Sequence, residues 1–387
     1  YGRYLASAQQ PASLPGVRER WKYIGQNLRK AHFIKMVPML GSLGCPYTCS
    51  FCIDSVVPYQ LLDFGVMKDD LRFLLTKFRR PLVGWHDPNF GIRFNDYMDA
   101  IEEAIPPDSI DFIAESSLSL LTEPHMRRLR RNGFKGMLPG IESWYTMGEK
   151  SRTVAITGME KVKRVSDQVN MILRYVPYVQ TNFVLGMDTD EGREPFELTK
   201  RFLDMTPGAF PAYSLLSSFG QAAPLNLEYQ RANRVLPFPF HFLDNNRAMN
   251  VRPMNYTWPE FYENVIDLSK HSFSAKAIVN RFAASRGAIP RWLNVVRTIS
   301  SEGPGRIRYN TEVLGLLRSD VQFRRYFEQE TDSLPDFYTH RMRKNMGSLW
   351  EWLPDGAVEH DPHAYLRSLG ETNSYVEPIE VPVEITA

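Results

Sequence analysis

The feature that most constrains the fold is an alternation of strand-like and helix-like segments between residue 34 and about residue 220. Each mostly apolar run is followed by apolar residues at helical spacing, as in Leu71, Leu74, Leu75 and Phe78. Such alternation indicates a parallel sheet, and its six units predict an α/β fold with a partial, open (β/α)6 TIM-like barrel. The six predicted strands are 34–43, 81–85, 110–114, 134–141, 175–185 and 212–217.

The alternation stops near residue 220, which predicts three parts of the chain. Residues 1–33 form an N-terminal lead-in, residues 34–220 form the partial barrel, and residues 221–387 form a mainly helical C-terminal region. Prolines punctuate the start of the last part, and helical patterns resume at 260–281, 312–327 and 338–352. The tail at 377–387 is predicted to be irregular.

Charge and composition exclude several classes of function. Lys and Arg total 46 against 44 Asp and Glu, so no excess of positive charge indicates nucleic acid or an anionic membrane as a partner. No apolar run reaches the roughly 18 residues that a membrane-spanning helix needs. The chain has only 3 cysteines, all in one short loop, which favours a metal site in a reducing, cytoplasmic setting over a disulfide framework.

The cysteine loop contains Cys45, Cys49 and Cys52 in the sequence Cys-Pro-Tyr-Thr-Cys-Ser-Phe-Cys. Cysteine thiolates hold iron-sulfur cubanes, and a loop that offers three of them leaves one iron without a protein ligand. Such an iron is open to another ligand. A zinc site would need a fourth ligand, usually in two separated pairs, and the sequence shows neither.

A C-x3-C-x2-C loop after the first strand of a barrel, with the aromatic Phe51 before its last cysteine, resembles the radical S-adenosylmethionine (SAM) superfamily. The resemblance implies a [4Fe-4S] cluster on Cys45, Cys49 and Cys52, with SAM chelated at the open iron. It also implies reductive cleavage of SAM to a 5′-deoxyadenosyl radical that takes a hydrogen atom from the substrate. The electron would come from a reductant such as flavodoxin or ferredoxin.

Carboxylates follow three of the predicted strands, where parallel barrels carry their working residues. Asp87 follows the second strand, Glu115 the third and Glu142 the fourth. SAM offers an ammonium, a sulfonium and ribose hydroxyls, all of which a carboxylate can hold. The alternative is that each carboxylate caps the helix that follows it.

Two short motifs extend the resemblance. Gly140-Ile141-Glu142-Ser143 resembles the fourth-strand motif of cobalamin-type and methylthiotransferase radical SAM enzymes, and residues 87–90 resemble their second-strand motif. The resemblance implies that Asp87 and Glu142 contact SAM, with Asn89 and Ser143 as further cofactor-binding candidates. On the fifth strand, Gln180 and Asn182 share one face by the period of two, which makes Asn182 a candidate SAM contact. Gly186 would let the backbone approach the cofactor, and the alternative is that it is an ordinary turn glycine.

The reaction after SAM cleavage stays open between hypotheses. The first is the cobalamin-type branch, which by resemblance often transfers methyl groups to unactivated carbon. Only 44 residues precede Cys45, so cobalamin would need a missing domain or a partner chain, and we expect this chain alone to bind SAM without retaining cobalamin. The second is direct use of the radical for oxidation, rearrangement or cyclisation, and the third is a non-catalytic iron-sulfur protein. The substrate, a small molecule or a peptide, is unidentified.

Overall fold

A single parallel sheet organises the barrel in the computed structural model, which describes residues 15–32, 34–145, 156–219, 223–242, 248–364 and 366. The sheet has six strands that lie side by side in sequence order, every neighbouring pair parallel. The predicted six-stranded parallel α/β sheet is therefore confirmed. The strands are β1 (Met36–Met39), β2 (Leu82–Trp85), β3 (Asp111–Ser117), β4 (Phe134–Glu142), β5 (Tyr178–Leu185) and β6 (Phe210–Leu215).

Helices connect the strands and cover one face of the sheet. Because crossovers between parallel strands are nearly always right-handed, a sheet that always grows in the same direction carries all its connecting helices on one side. Consecutive helices contact one another, in agreement with that arrangement. β1 and β6 form the two edges of the sheet, so the barrel is open. The helices are α1 (Trp21–Lys30), which precedes β1, then α2 (Phe64–Lys77), α3 (Phe94–Ala104), α4 (Glu123–Arg131), α5 (Gly158–Tyr175), α6 (Glu194–Met205) and α7 (Pro224–Arg231).

Residues of β5 show how the sheet separates its two faces. Val179, Thr181 and Phe183 are buried under the helices, whereas Gln180 and Asn182 alternate with them and are only partly buried. Successive side chains of a strand point to opposite faces. The predicted pairing of Gln180 and Asn182 on one face is confirmed, and their face is the inside of the barrel.

The ends of the elements follow local chemistry. α4 begins after Thr122 with Pro124 in its first turn, and the chain turns at Gly133, whose φ is +92°. A Cβ at Gly133 would lie 2.1 Å from the carbonyl oxygen of Ile110, so only glycine fits this turn. β5 begins three residues later than predicted, at Tyr178, because the buried stripe of α5 continues through Ile172.

The C-terminal region is mainly helical, as predicted. Its first helix, α8, begins with a capping box between Thr257 and Glu260 and packs against α6 and α11, which extends the outer helical layer. The predicted boundary at residues 220–221 and the predicted tail at 377–387 lie outside the described residues. The helices are α8 (Trp258–Ser272), α9 (Ala275–Ala284), α10 (Ala288–Ile299), α11 (Arg306–Ser319), α12 (Val321–Phe327) and α13 (Asp336–Met346).

Hydrogen bonds attach the lead-in to the barrel. The carboxylate of Asp70 on α2 accepts hydrogen bonds from the backbone amides of Val17, at 2.6 Å, and Arg18, at 2.8 Å, which ties the described end of the lead-in to the barrel.

Across the described ranges, no helix has both the length and the apolar character that crossing a bilayer requires.

Candidate functional site

A cavity of about 490 Å³ lies at the carboxyl edge of the sheet and is called the first cavity below. The cysteine loop forms one side, and residues at or just after the ends of β2 to β6 form the others. Its volume lies within the range typical of small-molecule sites. The sequence-predicted residues that line it are Cys49, Phe51, Cys52, Asn89, Glu115, Glu142 and Asn182, while Cys45, Asp87, Ser143 and Gly186 lie outside its lining.

The cysteine loop is held in a conformation that depends on Gly44. Gly44 has a φ of +63°, and a Cβ on it would lie 2.2 Å from the carbonyl oxygen of Val57 and 2.5 Å from that of Pro58. The loop therefore passes beneath residues 57–58 at a distance that only glycine permits. Within the loop, the amide of Cys52 donates to the carbonyl of Cys49 at 3.0 Å. Cys45 and Cys49 are buried, and Cys52 is half-buried.

The loop is also tied across the open side of the barrel. The amide of Leu225, in the first turn of α7, donates to the carbonyl of Ser50 at 3.0 Å. This hydrogen bond joins the segment after β1 to the segment after β6, although those two strands do not pair. It closes the ring of loops around the first cavity on the side where the sheet is open.

The donor set of the loop consists of thiols, which are the ligands of iron-sulfur cubanes. Among the described residues, no three His, Cys, Asp or Glu side chains are gathered closely enough to hold one metal ion. The thiolates of a cubane bind different irons and stand farther apart than the ligands of one ion. Three thiols on one loop, two of them facing the first cavity, have the chemistry that such a cluster requires.

Asp87 lies beneath the cysteine loop rather than in the cavity wall. Its carboxylate accepts hydrogen bonds from the amide of Gly41 at 2.6 Å, from the hydroxyl of Ser42 at 2.9 Å and from the hydroxyl of Tyr97. Burial raises the pKa of the Asp87 carboxyl, and these hydrogen bonds act against that rise. Gly41 and Ser42 lie between β1 and the first cysteine, so Asp87 fixes where the loop begins.

Asn89 and Glu115 take different positions at the mouth. Asn89 is buried, and its amide oxygen accepts from the backbone amide of Ser117 at 2.8 Å, which joins the ends of β2 and β3. The Glu115 side chain is exposed, and its backbone carbonyl accepts from the amide of Phe90 at 2.8 Å. Asn89 is thus held between the two strand ends, and the exposed Glu115 lines the cavity.

Glu142 ends β4 in a backbone conformation that glycine normally takes. Its φ is +64°, and the pairing of β4 with β5 shifts register between Gly140 and Glu142. A Cβ on Gly140 would lie 2.1 Å from Oε1 of Glu142, so the carboxylate folds back over that glycine. Left-handed backbone at a non-glycine residue is strained, and such strain concentrates at functional sites.

Lys161 is a cavity residue that the sequence reasoning missed. It lies in the first turn of α5 and is 6% exposed, and its ammonium donates to the carbonyl of Ser143 at 2.6 Å. Burial lowers the pKa of Lys161 to about 8, while the nearby Glu142 acts in the opposite direction. Nothing in the sequence around Lys161 distinguishes it from the exposed Lys163 of the same helix, because its burial comes from tertiary packing.

Asp190 was also missed, and it connects the two remaining predicted residues. Its carboxylate accepts from the amide of Gly186 at 3.2 Å and from the hydroxyl of Ser143 at 3.4 Å, which joins the loop after β4 to the loop after β5. Burial raises the pKa of Asp190 to about 6. Gly186 has a φ of +91°, and a Cβ on it would lie 2.8 Å from Cε of Met249. Ser143 and Gly186 therefore support the mouth of the first cavity without lining it.

Replacing Lys161 by Met is expected to stabilise the protein at pH 7 and to remove part of its pH dependence. A pKa moved from 10.5 to about 8 corresponds to ~3 kcal/mol, and lost hydrogen bonds reduce the gain to about 1–3 kcal/mol. Between pH 8 and pH 10.5 the unfolded state binds more protons at Lys161, so the free energy of unfolding rises with pH in the native protein. Urea unfolding at pH 7 and pH 9.5 measures both effects.

The matched control is Lys163→Met, which removes an exposed lysine from the same helix. It should leave both the stability at pH 7 and the pH dependence near those of the native protein. A Lys161→Met protein that is less stable at pH 7 and keeps the native rise toward pH 9.5 would contradict the expectation.

Comparison with curated proteins finds a relative whose sequence identity to this chain is moderate. No protein-family model matches the chain. Bacteriochlorophyllide d C-12(1)-methyltransferase of Chlorobaculum tepidum is 24% identical over 255 residues, which are 64% of this chain and 54% of that protein. The chain thus spans about half the length of the curated relative that it matches.

Solved structures with a similar arrangement are described as radical SAM enzymes. The methyltransferase TsrM of Kitasatospora setae, with cobalamin and a [4Fe-4S] cluster bound, is 13% identical and covers 76% of this chain and 59% of its own, at a TM-score of 0.43. The cobalamin-dependent enzyme OxsB, with aqua-cobalamin bound, is 11% identical and covers 86% and 58%, also at 0.43. Coproporphyrinogen III oxidase (HemN) of Escherichia coli is 13% identical and covers 51% and 48%, at 0.34. All three TM-scores lie below 0.5.

Proposed function

We propose that this chain is a radical SAM enzyme that holds a [4Fe-4S] cluster on Cys45, Cys49 and Cys52 and binds SAM in the first cavity. The observation that carries the proposal is that the cysteine loop and the carboxylates Glu115 and Glu142 line one cavity at the carboxyl edge of a parallel sheet. Cofactor sites of such folds lie at that edge. A cluster bound there would supply the electron that cleaves SAM.

The charges around the first cavity complement those of SAM. Three carboxylates, Asp54, Glu115 and Glu142, line the cavity, and Lys161 is the cationic side chain among its described lining residues. SAM carries an ammonium and a sulfonium against one carboxylate. In the proposal, Glu142 and Glu115 hold positive or hydroxyl groups of SAM, and Lys161 faces its carboxylate.

Other residues position these groups. Asp87 fixes the start of the cysteine loop through Gly41 and Ser42, so its role in the proposal is to place the cluster rather than to contact SAM. Asp190 accepts hydrogen bonds from Ser143, which directly follows Glu142, and from Gly186, which directly follows the strand that contains Asn182. It thereby positions the chain next to both cavity residues. Phe51 covers the cavity from the loop side and limits the access of water.

Methyl transfer is the reaction we favour for the step after SAM cleavage. The curated relative is named as a methyltransferase, and this supports methyl transfer over oxidation, rearrangement or cyclisation. In the proposal, cobalamin comes from a domain or partner beyond the barrel. A flavodoxin or ferredoxin would deliver the electron.

The proposal is tested with the chain reconstituted anaerobically with iron and sulfide. Iron near four per chain is expected from one cubane, together with reductive conversion of SAM to 5′-deoxyadenosine and methionine in the presence of dithionite. Iron near eight per chain, tightly bound zinc, or a reconstituted protein that does not bind SAM would overturn it.

Replacing Glu142 by Gln is expected to weaken SAM binding by about tenfold to a hundredfold while the cluster still assembles, because a charge-assisted hydrogen bond is lost. The measurement is equilibrium binding of SAM to the reconstituted, unreduced protein. Glu160→Gln, at an exposed carboxylate in the first turn of α5, is the matched control and should bind SAM as the native protein does. Unchanged affinity in Glu142→Gln would show that Glu142 only shapes the end of β4.

A further inference from the structure

A second cavity, of about 730 Å³, adjoins the first inside the barrel. It lies between the inner face of β5 and β6 and the C-terminal helices, and it shares Asn182 and Ser214 with the first cavity. The two spaces therefore meet at those side chains. The residues around it that the argument uses are Arg297, Glu302, Arg306, Tyr309 and Arg341.

Arg297 forms a fixed wall of the second cavity. Its guanidinium makes paired hydrogen bonds to Glu302, at 2.7 and 2.6 Å, and it also donates to Gln180 and to the hydroxyl of Tyr178. It stacks on the ring of Phe210 at 4.0 Å. Its charge is matched by Glu302, which is the only carboxylate among the described residues that line the cavity.

Two further arginines line this cavity, so its described lining residues include three guanidinium groups and one carboxylate. Arg306 donates to the backbone carbonyl of Tyr213 at 2.7 Å. The guanidinium of Arg341 lies 4.6 Å from the ring centres of both Tyr309 and Phe337, and one end of it pairs with Glu312 outside the cavity. The Nε of Arg341 is buried and has no hydrogen-bond partner in the described structure. A buried donor without an acceptor is unfavourable, and an acceptor on a ligand would relieve that cost.

Aromatic side chains supply the apolar part of the cavity. Phe242, Phe273 and Tyr309 line it together with the arginines. Aromatic rings bury large flat surfaces and stack with other planar groups, whereas guanidinium groups bind carboxylate and phosphate in pairs of hydrogen bonds. The combination selects a ligand that is flat and apolar in one part and anionic in another.

We propose that the second cavity binds the substrate as an organic anion with a conjugated or aromatic body. Its anionic group pairs with Arg306 and Arg341, and its reacting part lies at Asn182 and Ser214, where the two cavities meet. This inference rests on the proposed function, because the ligand of the second cavity is identified as the substrate only if the first cavity binds SAM. Arg306 and Arg341 then determine specificity without taking part in the chemistry.

Binding of a pair of fluorescent probes to the full chain tests the proposal without any turnover. 1-Anilinonaphthalene-8-sulfonate is a flat aromatic anion, and N-phenyl-1-naphthylamine has the same rings without the charge. Arg306→Gln and Arg341→Gln are each expected to weaken binding of the anion by at least about tenfold and binding of the neutral probe by less than about twofold. Arg306→Lys, which keeps the charge, should recover most of the affinity for the anion.

Arg318→Gln is the matched control, since Arg318 lies on α11 like Arg306 but is exposed and pairs with Glu263. It should bind both probes as the native chain does, and thermal unfolding confirms that each variant is folded. Equal affinity for the anion in the native chain and in both glutamine variants, or equal losses for the two probes, would overturn the proposal. SAM affinity of the reconstituted protein should stay unchanged in both variants, and its loss would assign the second cavity to the cofactor instead. A native chain that binds the anion but not SAM would refute the proposed function alone.

Discussion

Replacing any one of Cys45, Cys49 or Cys52 by Ala is expected to abolish SAM cleavage. A cubane that loses one of three protein thiolates is left with two irons that lack a protein ligand, and it is no longer retained in a defined position. Iron per chain should fall severalfold after anaerobic reconstitution, and no 5′-deoxyadenosine should form. Because the three residues lie in a loop outside the sheet, the fold should survive, as circular dichroism will show.

Tyr47→Phe is the matched control for the cysteine variants, because it changes the same loop without removing a thiol. It should retain the native iron content and SAM cleavage. A cysteine variant that keeps a full cubane and cleaves SAM would remove that cysteine from the ligand set, and all three variants doing so would refute the cluster assignment.

Replacing Gly44 by Ala is expected to have almost as large an effect on the cluster. Alanine disfavours the left-handed backbone at φ +63° by about 1–2 kcal/mol, which alone lowers the population of the native loop about 5–30-fold. Its Cβ would also lie 2.2 Å from the carbonyl oxygen of Val57, a distance that forces the backbone apart. Iron content and SAM cleavage should fall together, while far-ultraviolet circular dichroism stays near native.

Gly192→Ala separates the two causes. Gly192 has a φ of +59°, close to that of Gly44, but a Cβ on it would have no other atom within 4 Å. This variant should lose stability through its backbone conformation and yet keep the native iron content. If Gly44→Ala assembles a full cluster, the close passage of the loop beneath residues 57–58 is not required for cluster binding.

The sheet could be predicted from the sequence because its signals are local. Each strand is a short apolar run, and the helices between them repeat apolar residues every three or four positions, as in α3 and α5. The sequential strand order agrees with the predicted barrel, and consecutive strands of a parallel sheet are most often neighbours. Boundaries were less accurate: β6 begins at Phe210 rather than at residue 212, because its first residues pair with β5.

The site could be predicted only in part. The cysteine spacing and the carboxylates after the strands are visible in the sequence, and the structure brings Cys49, Cys52, Glu115 and Glu142 around one cavity. Lys161 and Asp190 could not be found, because what distinguishes them is burial by distant segments and not their spacing. Asp87 was a candidate from the sequence, but its hydrogen bonds could not be predicted, because the three donors belong to the separate residues Gly41, Ser42 and Tyr97.

The hydrogen bond from Leu225 to Ser50 also has a consequence for protein synthesis. Because every strand pairs with the one made just before it, the sheet can assemble in the order in which the chain leaves the ribosome. The cysteine loop is made early, but the segment that ties it across the open side arrives only with Leu225. At a synthesis rate of about 5–20 residues per second, on the order of 10–35 s pass between synthesis of the cysteine loop and synthesis of Leu225. If the proposed cluster were delivered before then, it would meet a loop that still lacks this hydrogen bond.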